Sequence, residues 1–121
     1  MSTTQITLGY PSATNIFQET ALGNTALVVK ASAGTVYYLS VDNTLNGSPV
    51  YLKIYDTGAA VVVGTTVPDD VIKIPSSIKL PIPIPGGKAY SAGIQVACVT
   101  AGGTAGITAP TSSVIAQVVY A

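Results

Sequence analysis

The sequence contains no histidine, no tryptophan and no arginine, and its only cysteine is Cys98. Without histidine the chain lacks the side chain that most often serves as a general base, a metal ligand or a member of a catalytic triad. One cysteine cannot form an internal disulfide, and its position in an apolar, alternating segment predicts a small buried hydrophobe. These absences argue against an enzyme and favour a protein that works by binding or assembling.

Charge is the next scarce property. Charged residues make up 8% of the chain, and five lysines balance five acids, whereas an average soluble domain is about 25% charged. The lysines are scattered singly, so no basic cluster is available to displace counterions from a nucleic acid. So little charge gives weak protection against self-association. We therefore expect much of the surface to lie against copies of the chain or another protein; the alternative is a monomer kept soluble by Ser, Thr, Asn and Gly.

Signals for export, membrane insertion and cofactor binding are also missing from the sequence. The first five residues have neither the basic nor the apolar region of a secretory signal peptide, and no apolar run approaches the ~20 residues of a membrane span. The segment Gly86-Gly87-Lys88 lacks the spacing and the Ser or Thr of a phosphate-binding loop. Asp69 and Asp70 are the only close carboxylates, and neighbours in an extended chain point to opposite faces, which favours a polar turn over a calcium site. We expect no cofactor, no nucleic acid and no membrane.

What the sequence does contain is a series of short runs of Val, Ile, Thr and Tyr separated by turn residues, which is typical of an all-β sandwich or barrel. Its 121 residues suit one domain.

Residues 1–25 are predicted to form an extended N-terminal arm with a weak strand at 5–8, and residues 26–121 the β-domain. Beyond the hairpin described next, the predicted strands are 27–31, 59–63, 90–99 and 114–120, and residues 101–113 are predicted to be a long loop. The last strand is apolar on both faces, so it is either central in a sheet or covered by a neighbouring subunit.

The sharpest local prediction is a β-hairpin formed by residues 36–43 and 50–55. Its turn contains Asn46-Gly47, a pair that tolerates positive φ. A symmetric loop would pair Asn43 with Val50 and create an apolar face of Leu39, Val41, Leu52 and Ile54. The opposite face would expose three tyrosines, residues suited to partner contacts, and it is either a contact patch or simply the solvated side of a sheet. The candidate partner-contact residues are Tyr38, Tyr51, Tyr55, Lys53, Asp69 and Asp70.

The segment from Ile78 to Pro85 has a proline at every second position. In a strand, alternate residues direct their N–H groups to the same edge, so Pro81, Pro83 and Pro85 remove the donors from one edge only. That edge cannot form a full ladder, which favours an edge strand or a strap across a barrel mouth, closed to pairing on one side. The alternative is a stiff linker in polyproline conformation.

The segments 37–43 and 51–56, together with 83–87 and 118–121, resemble a group of small virion proteins of tailed bacteriophages. In that group a Y-L-K-[hydrophobic]-Y strand follows an Asn-containing turn. A [V/I]-P-x-G-G turn, a G-I strand, a Gly/Ala/Thr loop and a terminal strand ending near V-x-Y come next. The resemblance covers roughly residues 28–121, and it departs at 67–80, which is longer than the pattern and is interpreted as an added contact loop.

The resemblance implies a compact β-sandwich or jelly-roll-like domain that decorates or cements a capsid, usually as a homotrimer. The expected partners are further copies of the chain and the major capsid protein or another virion protein. The expected location is the virion, on the head surface rather than the tail, after synthesis in the host cytoplasm. The alternative is a tail or fibre accessory module that binds a host-surface glycan or a tail partner.

Overall fold

The computed structural model describes residues 15–121. This part of the chain forms eight β-strands. Their bounds are Asn15–Glu19 (β1), Leu27–Lys30 (β2), Gly34–Asp42 (β3), Val50–Tyr55 (β4), Asp70–Ile74 (β5), Lys79–Tyr90 (β6), Ile94–Val99 (β7) and Ile115–Tyr120 (β8). Within these residues there is no helix with the length and apolar character needed to cross a membrane.

The strands form two four-stranded sheets. The first sheet has the order β1-β8-β3-β6 and the second the order β2-β7-β4-β5, and every pairing is antiparallel. The pairs nest, because β1 joins β8, β2 joins β7, β3 joins β6 and β4 joins β5. This nesting over two sheets is the arrangement of an eight-stranded jelly roll. The prediction of an antiparallel, jelly-roll-like β-sandwich is confirmed.

The core lies between the sheets and consists mainly of aliphatic side chains. Leu39 and Val41 enter it from the first sheet, and Leu52 and Ile54 enter it from the second; each is 1% exposed. Cys98 is fully buried in the same core, as its apolar position predicts. Burying one such Leu, Ile or Val side chain contributes about 1.5–3 kcal/mol, so this shared core is the main reason why the two sheets stay together.

The predicted hairpin is wrong, although both of its strands exist. β3 pairs with β6 and β8, whereas β4 pairs with β5 and β7, so the connection crosses from one sheet to the other. The supposed turn residue Asn46 is 6% exposed, and its amide donates to Asn43 Oδ1 at 2.9 Å and to the carbonyl of Ser112 at 3.0 Å. Gly47 does not adopt a positive φ. Asn46 therefore anchors a crossover loop and does not close a two-stranded turn.

The sandwich includes residues that the sequence assigned to the arm. β1 pairs along its whole length with β8, and Leu22 is buried in the core at 2% exposure. The apolar pattern of β1 is weak because only Phe17 packs against the core while Ile16 is 64% exposed. The strand predicted at residues 5–8 lies outside the described residues.

Three further predictions about the chain need correction. Part of the supposed added contact loop at 67–80 is β5, an edge strand of the second sheet. Residues 59–63 form an irregular loop instead of a strand. The strand predicted at 90–99 is interrupted by a turn between Tyr90 and Ile94, where Gly93 packs so closely on the Thr57 carbonyl that a Cβ would collide with it. The predicted loop at 101–113 is confirmed.

The proline-rich segment forms the first half of β6, which lies at the edge of the first sheet, the position that its prolines predict. Pro83 is opposite Tyr38 and Ile82 is opposite Leu39. Because proline has no N–H, the ladder to β3 uses Leu80 and Ile82, and the outer edge carries acceptors without donors at Pro81 and Pro83. Further along, Gly86 and Gly87 take φ values of 80° and 79° at the register shift between β6 and β3.

Candidate functional site

The outer face of the two central strands of the second sheet, β4 and β7, is covered by two loops, residues 57–68 and 100–113, called the loop cover below. Its sheet residues Tyr55, Ala97 and Val99 are 0% exposed although they face away from the core. Gln95 fixes the first loop by donating from Nε2 to the carbonyls of Thr57 and Ala59 at 2.9 and 2.6 Å. The molecule is thus a sandwich with a third, irregular layer on one side.

Lys53 fixes the second loop. Its side chain is 0% exposed, and Nζ donates to the carbonyls of Gly103, Thr104 and Gly106 at 2.7, 3.4 and 3.0 Å. Burial lowers the pKa of this ammonium group, since the charged form loses water. The sequence predicted Lys53 as a partner contact, and that prediction is wrong: the side chain contacts the protein's own loop.

The predicted tyrosine patch is also wrong. Tyr55 lies beneath the loop cover, where burial raises its pKa and its hydroxyl has no hydrogen-bond partner among the described residues. The Tyr51 ring packs against Gly102, where a Cβ would lie 2.9 Å from it. Tyr38 belongs to the first sheet. Tyr51 and Tyr55 lie on the second sheet and Tyr38 on the first, so the three rings do not form one surface, because the hairpin that would have joined them does not exist.

Asp69 and Asp70 point to separate partners. The carboxylate of Asp69 accepts the N–H of Asp56 at 2.7 Å, and that of Asp70 binds Lys88 Nζ and the Tyr90 hydroxyl. Burial, followed by this hydrogen bond, raises the pKa of Tyr90. Over residues 15–121 no group of three His, Cys, Asp or Glu side chains converges. Asp69 and Asp70 fasten neighbouring strands and loops within the molecule.

The exposed surface of the loop cover is uncharged and partly aliphatic. Residues 57–68 and 100–113 contain no Asp, Glu, Lys or Arg. Val62, Val67 and Ile107 are 59%, 71% and 57% exposed. All three lie around one turn: Val62 begins the hydrogen-bonded turn that ends at Thr66, Val67 follows it, and Ile107 packs on Gly64 within it. This patch is the first candidate binding surface.

The outer face of the first sheet carries the second candidate surface, a polar groove of about 220 Å³. It is lined by Gln18, Ser40, Asp42, Lys79, Ile115 and Gln117. Two hydrogen bonds from Thr44, through its N–H at 3.0 Å and its hydroxyl at 2.5 Å, hold Asp42 Oδ1. The hydroxyl bond is the largest cause of the lowered pKa of this carboxyl group.

The sequence predicted neither the groove nor the buried, hydrogen-bonded pair of Asn43 and Asn46, and the reasons differ. Asn43 donates to the carbonyls of Ser48 and Pro75 at 3.1 and 3.0 Å, which ties the crossover loop to the β5–β6 loop. The sequence shows only a polar residue at the end of an apolar run, and this does not predict that Asn43 is 0% exposed. The glutamines of the groove are 99 positions apart in the chain, and only the β1–β8 pairing brings them opposite each other.

Comparisons of the chain with family models, with curated proteins and with solved structures gave no match.

Proposed function

We propose that this protein is a structural component of a virion that decorates or cements a capsid through protein–protein contacts, as a homotrimer bound to the major capsid protein. The observation that carries the proposal is the exposed aliphatic patch on a cover that contains no charged residue. Contiguous apolar surface without charge is the usual composition of the centre of a protein interface. The jelly-roll architecture, which capsid domains also use, is supporting analogy.

The loop cover is suited to bind a partner as a rigid surface, because side chains of the sheet beneath it hydrogen-bond to both loops. Lys53 and Gln95 hold its two loops by five hydrogen bonds to backbone carbonyls. A surface that is already ordered loses little conformational entropy when a partner binds. Association through this face also agrees with the proline-bearing edge of β6, which lacks the donors for strand addition.

The described residues support binding better than catalysis. Cys98 lies in the core, where burial raises the pKa of its thiol to about 12, so it is not a nucleophile at neutral pH. The carboxylates of Asp56 and Asp70 are occupied by hydrogen bonds within the protein. We therefore propose no reaction for this chain.

The proposal is tested by measuring the oligomeric state of the purified protein with multi-angle light scattering, and its binding to capsids that lack it by co-sedimentation. We expect a stable trimer that binds capsids. Val67→Asp should dissociate the trimer or abolish capsid binding, because it places an unpaired charge in the patch.

Leu45→Asp is the matched control. Leu45 is 66% exposed, close to the value for Val67, but it lies in the β3–β4 crossover loop, so this variant should assemble and bind like the wild type. A stable monomer without affinity for capsids would refute the proposal, and so would equal behaviour of the two variants.

A further inference from the structure

The outer face of the first sheet aligns polar side chains from all four strands. Gln18 on β1 is opposite Gln117 on β8, which is opposite Ser40 on β3. The next row along the strands places Asp42 opposite Lys79. These side chains stand on paired strands, whose backbones hold them at fixed spacing. The groove described above is therefore a built feature of the sheet and not a gap between loops.

The chemistry of the groove suits a neutral ligand with closely spaced hydroxyl groups. The two glutamine amides provide donors and acceptors, and the Ser40 hydroxyl provides both. Asp42 adds an acceptor and Lys79 adds a donor, and their opposite charges offset each other. An anionic ligand would need an excess of positive charge, and a divalent cation would need several converging carboxylate or carbonyl oxygens. The groove has neither.

An apolar row borders the groove on the same face. Ile16, Val119, Tyr38 and Pro83 are aligned across the four strands, two residues from the row of Gln18, Gln117 and Ser40. Two residues along a strand span about 7 Å, roughly the width of one pyranose ring. Ile16 is 64% exposed, and Tyr38 is partly exposed. A sugar ring has an apolar C–H face and a polar hydroxyl rim, so this pairing of an aromatic platform with amides matches both of its sides.

We infer that this groove binds a neutral saccharide, with the ring against Tyr38 and the hydroxyls hydrogen-bonded to Gln18, Ser40, Asp42 and Gln117. The inference goes beyond the proposed function. The groove and the loop cover lie on opposite sides of the sandwich. A copy attached through its loop cover would therefore present the groove outward.

The test is a titration of the 15N-labelled wild-type protein with cellotetraose, maltotetraose, chitotetraose and mannotetraose, each up to about 10 mM, a range suited to weak affinities. We expect at least one tetrasaccharide to shift the amide signals of Gln18, Ser40 and Gln117. Gln117→Ala and Tyr38→Ala should each weaken that binding about 10-fold, whereas Tyr38→Phe, which keeps the ring, should stay within about 2-fold of the wild type.

Lysine substitutions supply the matched control. Lys79→Ala should weaken binding, whereas Lys73→Ala, an exposed lysine on the edge strand of the other sheet, should not. A dispersed spectrum verifies that each variant is folded. The inference is overturned if no tetrasaccharide shifts the groove signals, or if Gln117→Ala and Tyr38→Ala bind like the wild type. These readouts do not depend on oligomeric state, so the result is separate from the test of capsid decoration.

Discussion

Lys53 is a buried ammonium group whose hydrogen-bond partners are all backbone carbonyls. It lies in the middle of β4, opposite Val71 on one side and Ala97 on the other, and no carboxylate is among its bonded partners. Removing a charge from water is unfavourable unless strong hydrogen bonds replace the lost hydration. The carbonyls of residues 103–106 supply that replacement, so Lys53 and the second loop of the cover depend on each other.

Lys53→Met should release the second loop of the cover while the sandwich stays folded. The thioether cannot donate to the three carbonyls, which then turn toward water, and we expect the free energy of unfolding to fall by about 1–3 kcal/mol. Hydrogen exchange should increase most at the Gly106 amide, which is bonded to the Gly103 carbonyl. Lys73→Met is the control and should change stability by less than about 0.5 kcal/mol; equal exchange in the two variants would contradict the role given to Lys53.

Asp56 joins the second sheet to the turn that follows β6. Its carboxylate accepts the N–H groups of Ser91, Ala92 and Gly93 at 3.1, 2.8 and 3.3 Å. The hydrogen bond from the Ala92 backbone is the largest cause of a pKa below the ordinary value of 3.8. In the unfolded chain these bonds are absent and the carboxyl keeps its ordinary pKa, so the folded state holds its proton less tightly.

The depressed pKa of Asp56 predicts a contribution to stability that is complete above pH 3.8 and is lost as the pH falls through the lower folded-state value. Asp56→Asn should therefore lower the free energy of unfolding at pH 7 and make its decline in acid less steep. Urea titrations between about pH 2 and 7 measure both effects. Glu19→Gln controls for the loss of one negative charge, and an unchanged acid slope in Asp56→Asn would exclude this role.

At the scale of elements, the prolines of β6 protect the open edge of the first sheet against pairing with another strand. Pro81 and Pro83 are exposed, and the outer edge at these positions offers carbonyls without N–H donors. An incoming strand can then make only half of an antiparallel ladder. The protection is local, because β6 continues past Gly86 and Gly87 to Tyr90, beyond the last proline.

Replacing Pro81, Pro83 and Pro85 together by alanine should open this edge to pairing. Each substitution restores a donor and also increases the entropy of the unfolded chain, which costs about 0.4–1 kcal/mol per site. We expect a folded protein that forms larger, concentration-dependent assemblies, seen by sedimentation velocity. The double variant Pro49→Ala/Pro75→Ala changes prolines in loops outside the loop cover and should not do so. A triple variant that assembles like the wild type would show that the edge is blocked by something other than missing donors.

The edge strand was predictable and the hairpin was not, for a physical reason. Proline has no N–H, and alternate residues of a strand direct their N–H groups to the same edge. These two facts determine which edge loses its donors at Pro81 and Pro83. The strands that pair with β3 are determined by contacts between distant segments of the chain. Asn46-Gly47 gives the same local signal whether the chain reverses within one sheet or crosses to the other sheet. Leu39 and Ile54 were predicted to share an apolar face, and they do share a core, but from opposite sheets.

The candidate site was less predictable than the fold. The predicted contact residues Lys53 and Tyr55 alternate along β4 with core residues, the pattern of an exposed face. They are buried by the loop cover, whose sequence has no periodic pattern that would predict it. The groove combines Gln18 with Gln117 through a pairing of the first and last strands, and no local window contains both. At the scale of the whole molecule, the fold thus places the uncharged loop cover and the polar groove on opposite sides of the same core.

The proposed association through the uncharged loop cover predicts how assembly depends on ionic strength. Ion pairs across an interface are screened as salt increases, since the Debye length falls from about 10 Å at 0.1 M to about 3 Å at 1 M. An interface built on Val62, Val67 and Ile107 contains no such pairs from this chain's side and is favoured by the hydrophobic effect. We therefore predict that the dissociation constant of the proposed trimer changes by less than about 3-fold between 0.05 and 1 M NaCl, a range over which screening is strong. Analytical ultracentrifugation at several protein concentrations measures it, and a trimer that dissociates as salt is raised would place the interface on the charged parts of the surface instead.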